Sequence, residues 1–471
     1  MIGKAMGVAL AVVSAAAQDG GEIAALRGQL AAQGEQMRAM QARIEALEKL
    51  VAAPAPAPVP AAAPPKDTEP RARMHISGYA DVTGTYRSTF TGAGISTPFG
   101  SIPLERAPEA RLGEFRGSGA HSRLSFRLDT RLGGRDLTTY IETDFLAAAQ
   151  PNIFAGSNGH PLRMRLYWAQ WRGKKWELLG GQSWSLLAPN RQGISPDHSD
   201  IMHTRLIDPN YNVGLAWTRQ ATVRVTRRWE RWTGAVAVEN PEQNILDPRE
   251  IPEDVRGLAN RAAPGSNIRP DLLAKLAYDT AAAHLEVAAV GRNFQVYSTS
   301  LGVKRHALGM GVSLAGVIHA GRWVDLVSQN YVSSGGGRYT QGLAPDVVVR
   351  PDGRLVRVFS ASFLEGMELK LPAGLQVYGY YGLVYARRAA YRTPGGDWVG
   401  FGAPTGSAVD NRTVAETTVG FRHFFWSEEG RGGLSYAVNY SYLNRRLWET
   451  NTAGALGRTH MLYTSFRYNL P

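Results

Sequence analysis

Residues 121–132 read HSRLSFRLDTRL, and their order decides what kind of fold this chain can have. His121, Arg123, Ser125, Arg127, Asp129 and Arg131 alternate with Ser122, Leu124, Phe126, Leu128, Thr130 and Leu132. A period of two is that of a β-strand, whose side chains point alternately to opposite faces. One face is therefore charged and the other apolar. A soluble sandwich turns the apolar face inward. A membrane barrel turns it outward to lipid and keeps the charges around a wet lumen.

The same alternation recurs on both sides of this stretch. Upstream, His75, Ser77, Tyr79, Asp81, Thr83, Thr85 and Arg87 oppose Ile76, Gly78, Ala80, Val82, Gly84 and Tyr86. Downstream, Glu142 and Asp144 oppose Ile141, Thr143 and Phe145, and Arg224 and Arg228 oppose Val223 and Val225. Near the end, Leu434, Tyr436, Val438, Tyr440 and Tyr442 oppose Ser435, Ala437, Asn439 and Ser441. The pattern predicts about sixteen antiparallel strands between 74–88 and 458–469, an even number in the porin range. Alternation is weakest around 295–331. The connections LGGR, RGKK, AGR and PAG are tight, whereas 89–118, 187–214, 241–268, 332–355 and 389–412 are long. Short turns at one end and long loops at the other favour an all-β transmembrane barrel over a soluble all-β protein.

Composition agrees. The chain of 471 residues carries a net charge of +12 and no cysteine, which excludes disulfides, thiolate metal sites and cysteine nucleophiles. After the N-terminus no apolar run approaches the ~20 residues of a membrane helix. A barrel escapes that test, since each strand hides its apolar half in the average.

Three segments precede the barrel, which is placed at 74–471. Residues 1–17 read as a secretory signal peptide, with Lys4, an apolar stretch and Ala15-Ala16-Ala17. Over 18–53, Ile23, Leu26, Leu30, Gln33, Met37, Met40, Ile44, Leu47 and Val51 fall at alternating steps of three and four. That is a coiled-coil seam, compatible with a dimer or a trimer. Residues 54–73 form a Pro/Ala-rich linker, extended enough for its roughly seventeen-residue core to span about 50 Å. Both barrel termini fall at the short-turn end, so the coil belongs in the periplasm, where cell-wall contact is open to it.

Lipid-facing Arg is costly, so the alternating arginines are expected to line the lumen. The pore-lining candidates are Arg123, Arg127, Arg163, Arg165, Arg224 and Arg422, joined by Arg131, Arg228, Lys275 and Arg467. Arg123 and Arg127 could instead brace the wall by pairing with Glu142 and Asp144. In RMRLYWAQWRGKKWELLGGQSWSLL (163–187), regular alternation puts Arg163, Arg165, Tyr167, Ala169 and Trp171 inside and Leu162, Met164, Leu166 and Trp168 on lipid. A bulge at Gly180-Gly181 would then swing Gln182 and Trp184 into the pore mouth. The third long loop offers Arg191, Asp197, His198, Asp200, His203 and Arg205 as constriction residues. Its His/Asp spacing fits no helical metal pair, and no metal or cofactor is expected. There is no phosphate loop or G-x-S-x-G elbow, and the reading is non-enzymatic. Basic residues interleaved with lipid-like ones argue against a nucleic-acid partner.

WELLGGQSWSLLAPNR (176–191) followed by VGLAWTRQATVRV (213–225) resembles the DcaP-like trimeric outer-membrane porins of Gram-negative bacteria. The order of signal, coil, linker and barrel matches as well. The matching positions are Gly181, Gln182, Trp184 and Ser185, then Arg219 and Gln220. The resemblance implies a homotrimer in outer-membrane lipid, with one channel per subunit narrowed by an inward third loop. It also implies passage of small anionic solutes such as dicarboxylates. The chain departs from that pattern in ending RYNLP, without a terminal aromatic residue, and in the acids of its third loop. A structural tether, in which the barrel only anchors the coil, is the first alternative to a channel, and an outer-membrane barrel enzyme with a spatially assembled Ser/His/acid set is the second.

Overall fold

The computed structural model describes residues 34, 35, 38, 41, 42, 72–147, 160–197, 201–202, 212–244, 269–298, 302–404, 407–448 and 455–471. The chain divides into two units, Met1–Glu69 and Pro70–Pro471. In the first, the described residues are helical, and Arg38 Nε donates to Gly34 O at 3.3 Å. The seam residues Ile23, Leu26, Leu30, Met37, Met40, Ile44 and Leu47, the signal segment and the 54–70 stretch of the linker lie outside the described residues.

The second unit is a closed antiparallel barrel of sixteen strands. They are β1 (Ala72–Arg87), β2 in two pieces (Glu114–Ser118 and Arg123–Leu132), β3 (Arg135–Asp144), β4 (Arg163–Arg172), β5 (Trp176–Trp184), β6 (Arg219–Trp229), β7 (Trp232–Glu239) and β8 (Asp271–Asp279). Then come β9 (Ala283–Ser298), β10 (Val303–Ala320), β11 (Val324–Ser334), β12 (Phe359–Lys370), β13 (Leu375–Ala386), β14 (Asn411–Glu428), β15 (Gly432–Leu447) and β16 (Leu456–Asn469). Pairing of β1 with β16 closes the cylinder and leaves no sheet edge. At one end Gly133 and Gly134, both with positive φ, make the two-residue turn between β2 and β3.

Burial is inverted relative to a soluble protein. Val223, Val225, Val236, Leu272, Leu285 and Leu314 are exposed on the outside, while Asp81, Glu142, Arg224, Lys275, Gln329 and Glu416 are buried within. That inversion separates a membrane barrel from a sandwich.

The structure corrects the sequence reading in three places. β2 begins at Glu114, inside the segment expected to be loop: residues 83–87 of β1 pair with 114–118 and residues 72–79 with 123–130. Gly113, Gly117 and Gly119 blur the alternation of the upper piece. The second correction is a bulge in β4, where Glu142 pairs with Leu166 and Thr143 with Met164, so Arg165 is the extra residue. Alternation changes phase there. Leu166, Trp168 and Gln170 point inward and are buried, while Tyr167 and Ala169 are exposed outside. No such shift occurs at Gly180-Gly181, where β4 and β5 stay in register.

Third, the lumen is filled from more than one loop. Phe99 and Ile102 of the first loop (88–113) pack with Val213 against Val384, Val414 and Tyr463 of the inner wall. Tyr339 of the sixth loop (335–358) packs with Leu186, Leu187 and Ala216 of the third against Ala235, Ala237, Ala277 and Ala288. Small inner-wall residues make room for these loop side chains.

Candidate functional site

The third loop (185–218) leaves β5 after Trp184, and Ser185 N bonds to Thr218 O at 2.9 Å to close its base. Its backbone is then held by wall carboxylates. Leu186 N donates to Glu239 Oε1 at 2.7 Å, and Gly193 N to Asp279 at 3.2 Å. Lys275 Nζ reaches Ala188 O at 2.7 Å while pairing with Glu286 at 3.0 Å. Arg191 extends to the far wall, 2.5 Å from Asp325 and 2.9 Å from Glu368. The return arm bonds through Asn212 to Thr418 at 2.7 Å, through Val213 N to Glu416 at 2.9 Å and through Ala216 N to Gln329 at 2.9 Å. At Gly214, with φ +95°, a Cβ would stand 1.9 Å from Phe363 O, so only glycine lets the arm lie this close. The anchors thus run from β7 round to β14.

The adjoining arc of wall carries the charge. Register brings the groups together: Asp81 faces Arg467, Arg123 faces Tyr79 on one side and Asp144 on the other, and Asp144 faces Arg163. Arg467 Nε bonds to Asp81 at 2.6 Å. Arg165 is shared between Glu142 and Asp144, each at 2.7 Å, Arg163 reaches Asp144 at 2.7 Å, and Arg123 reaches Glu142 at 3.5 Å. The Tyr79 ring orients two of the guanidinium groups, Arg467 at 3.8 Å and Arg123 at 5.4 Å from its centroid. Arg422 also faces this arc, only 6% exposed, and makes no hydrogen bond or ion pair with a described residue. Among the described residues, five arginines (123, 163, 165, 422 and 467) thus meet three carboxylates (81, 142 and 144), an excess of two positive charges.

No protein-family model matches the chain, and neither does the sequence of any curated protein. Solved structures do. The outer-membrane channel DcaP of Acinetobacter baumannii matches with a TM-score of 0.61 at 15% identity, over 85% of this chain and 97% of that one. The barrel has the DcaP-type fold. An anion-selective porin from Comamonas acidovorans matches with a TM-score of 0.50 at 10% identity, over 85% of this chain and 100% of that one.

Within this DcaP-like barrel the candidate residues separate into groups. Arg123, Arg163, Arg165 and Arg422 share the charged arc. Arg127 lies lower, paired with Asp129 at 2.9 Å, and borders a cavity of about 570 Å³ together with Gln170, Asp197 and Arg228. Arg224 is buried under the third loop. Its register neighbours Leu179 and Ala237 pack against Ala188 and Leu186, and its Nε and Nη2 make no hydrogen bond with a described residue. Gln182 stays in the wall opposite the outward Tyr167 and Ala221, and its amide donates to Arg165 O at 2.8 Å, capping the bulge. Trp184 is buried among Leu166, Trp168, Leu179 and Ala188, with the Trp217 ring 4.9 Å away. Arg191 anchors the loop, and Asp197 accepts a hydrogen bond from Ser195 Oγ. His198, Asp200, His203 and Arg205 lie outside the described residues.

The sequence reading missed the residues that seat the other loops. Arg292 pairs with Asp271 at 3.0 Å and with Asp346 of the sixth loop at 2.6 Å. Arg445 donates to Ile102 O at 2.7 Å and Gly100 O at 3.0 Å in the first loop. Both sit at inward positions of their strands. Alternation could place them in the lumen, but it could not supply partners so distant in sequence.

Proposed function

We propose that this protein is a porin of the Gram-negative outer membrane, each chain forming one diffusion channel for small hydrophilic solutes with a preference for anions. The observation that carries this reading is the excess of two positive charges, among the described residues, on the arc beside the third loop, where Arg422 has no described ion-pair partner. Such a field concentrates anions locally, and contact shared among several guanidinium groups lets them leave again. The anion-selective porin of the same barrel type supports it. The resemblance in the sequence extends the proposal to a homotrimer and to dicarboxylate-sized solutes. That both barrel termini fall at the short-turn end supports a periplasmic coil over 18–53, joined by the 54–73 linker to a barrel embedded in outer-membrane lipid. Chemistry on the solute has no part in this reading.

The test is the reversal potential of purified full-length protein in a planar bilayer across a salt gradient. Anion selectivity is expected, and Arg422→Ala should lower the anion-to-cation permeability ratio by roughly two- to fivefold. Arg123→Ala/Arg127→Ala should lower it at least as far, because Glu142 and Asp129 then lose these arginine partners and the local positive charge falls by two. A cation-selective wild type would overturn the preference. Absence of channels would overturn the function.

A further inference from the structure

Arg227 breaks the rule that the rest of its neighbourhood obeys. Arg172 and Arg228, at the same end of the barrel, both turn to Glu177, at 2.9 and 3.0 Å. Arg227 points outward, is exposed, and has no ion pair or hydrogen bond with any described residue. It is held instead between two indoles, its guanidinium carbon 5.0 Å from the Trp176 ring and 5.9 Å from the Trp229 ring. With Trp232 and Tyr278, whose rings lie 4.6 Å apart, these tryptophans form an aromatic belt at the short-turn end. Such belts mark the level of lipid headgroups.

From this cage an apolar groove of about 510 Å³ runs along the outer wall. Its floor is low because Gly234, Ala274 and Ala289 stand where neighbouring positions carry Val225, Val236, Leu276 and Val287. The close fit of Trp229 also depends on Gly234, where a Cβ would come 2.9 Å from the indole.

We propose that cage and groove together bind one membrane glycerophospholipid, its phosphodiester on Arg227 and one acyl chain in the groove. Charge complementarity selects this occupant. A planar guanidinium offers paired donors to two phosphate oxygens, and phosphate is the anion that a bilayer supplies at the level of an aromatic belt. The inference rests on the barrel lying in a membrane, not on its conducting solutes.

The test is native mass spectrometry of the full-length protein, delipidated in detergent and titrated with dioleoyl phosphatidylglycerol. One adduct per chain is expected. Its affinity should fall about tenfold in Arg227→Gln, where the charge is lost, and fall likewise in Ala289→Phe, where the groove is filled. The exposed loop variant Arg354→Gln should match wild type. Wild-type affinity in Arg227→Gln would overturn the proposal. The alternative occupant, a second copy of the chain, is read from Ala289→Cys: the chain has no cysteine of its own, so a disulfide between copies under mild oxidation would overturn the lipid assignment. Bilayer conductance of the same preparations keeps the two readings apart. Lipid binding without conduction removes the channel alone, and conduction without a specific adduct removes the lipid site alone.

Discussion

Arg165 and Arg422 both stand on the inner face, yet they do opposite things. Arg165 is 4% exposed and bound to two carboxylates, so it braces the wall and contributes little net field. Arg422 has no such partner among the described residues, so no neighbouring carboxylate there cancels its charge by direct contact. Alternation in the sequence could place both inside. It could not tell brace from free charge, because that depends on which residues of other strands fall opposite. Lys275 shows the same limit: expected in the lumen, it lies beneath the third loop, tying Glu286 of the wall to Ala188 of the loop. Lys275→Met should therefore loosen the loop and not the barrel. Glu286 would keep His284 at 3.2 Å, so the cost should lie near the lower end of the range for breaking a buried pair, about 3 kcal/mol. Amide hydrogen exchange of Leu186 and Asn190 should speed up while that of the β9–β10 ladder stays slow. Unchanged exchange at Leu186 would show that the lysine does not hold the loop.

At the scale of the strand, the sequence was most legible where water bathes one face and lipid the other, as over 121–132. It failed where the inner face is dry. Leu166, Trp168 and Leu179 resemble lipid-facing residues, but they pack against Trp184 at the end of β5 and Ala188 of the third loop. In β10, Val312 and Leu314 face outward while Ala315 and Val317 face a loop-filled interior, so 295–331 shows little contrast between its faces. The bulge at Arg165 was hidden for the same reason, since both sides of the phase change are apolar. A pair of deletions tests the phase argument. Removing Leu166 takes out one residue at the bulge and leaves Met164 and Tyr167 outside and Arg163, Arg165 and Trp168 inside. Removing Val225 from regular β6 turns Arg228 onto the outer face. Arg227 turns inward in exchange, so the cost comes not from an added outer arginine but from moving every side chain beyond the deletion off the face on which it packs. The first variant should retain the compact, heat-modifiable form on cold denaturing gels, and the second should lose most of it. Equal tolerance of the two would remove the bulge as the cause of the inward tryptophan.

For the molecule as a whole, the first, third and sixth loops all have described residues packed on the inner wall, so the field in the lumen is set locally. The whole-chain charge of +12 is a poor guide to it, because it is summed around the whole barrel and includes outward residues such as Arg227 and loop-seating ones such as Arg292. What counts is the excess of two on the arc formed by β1–β4, β14 and β16. A preference built on so small an excess should respond strongly to ionic strength. The screening length is ~30 Å at 0.01 M salt and ~3 Å at 1 M, about one contact distance. Anion selectivity should therefore be strong in dilute salt and fall steadily toward 1 M, with Arg422→Ala flattening the dependence. Selectivity produced by size exclusion or by a tight solute site would not follow the screening length. A permeability ratio that stays constant from 0.01 to 1 M would thus move the origin of selectivity away from the arginine arc and onto the shape of the loops.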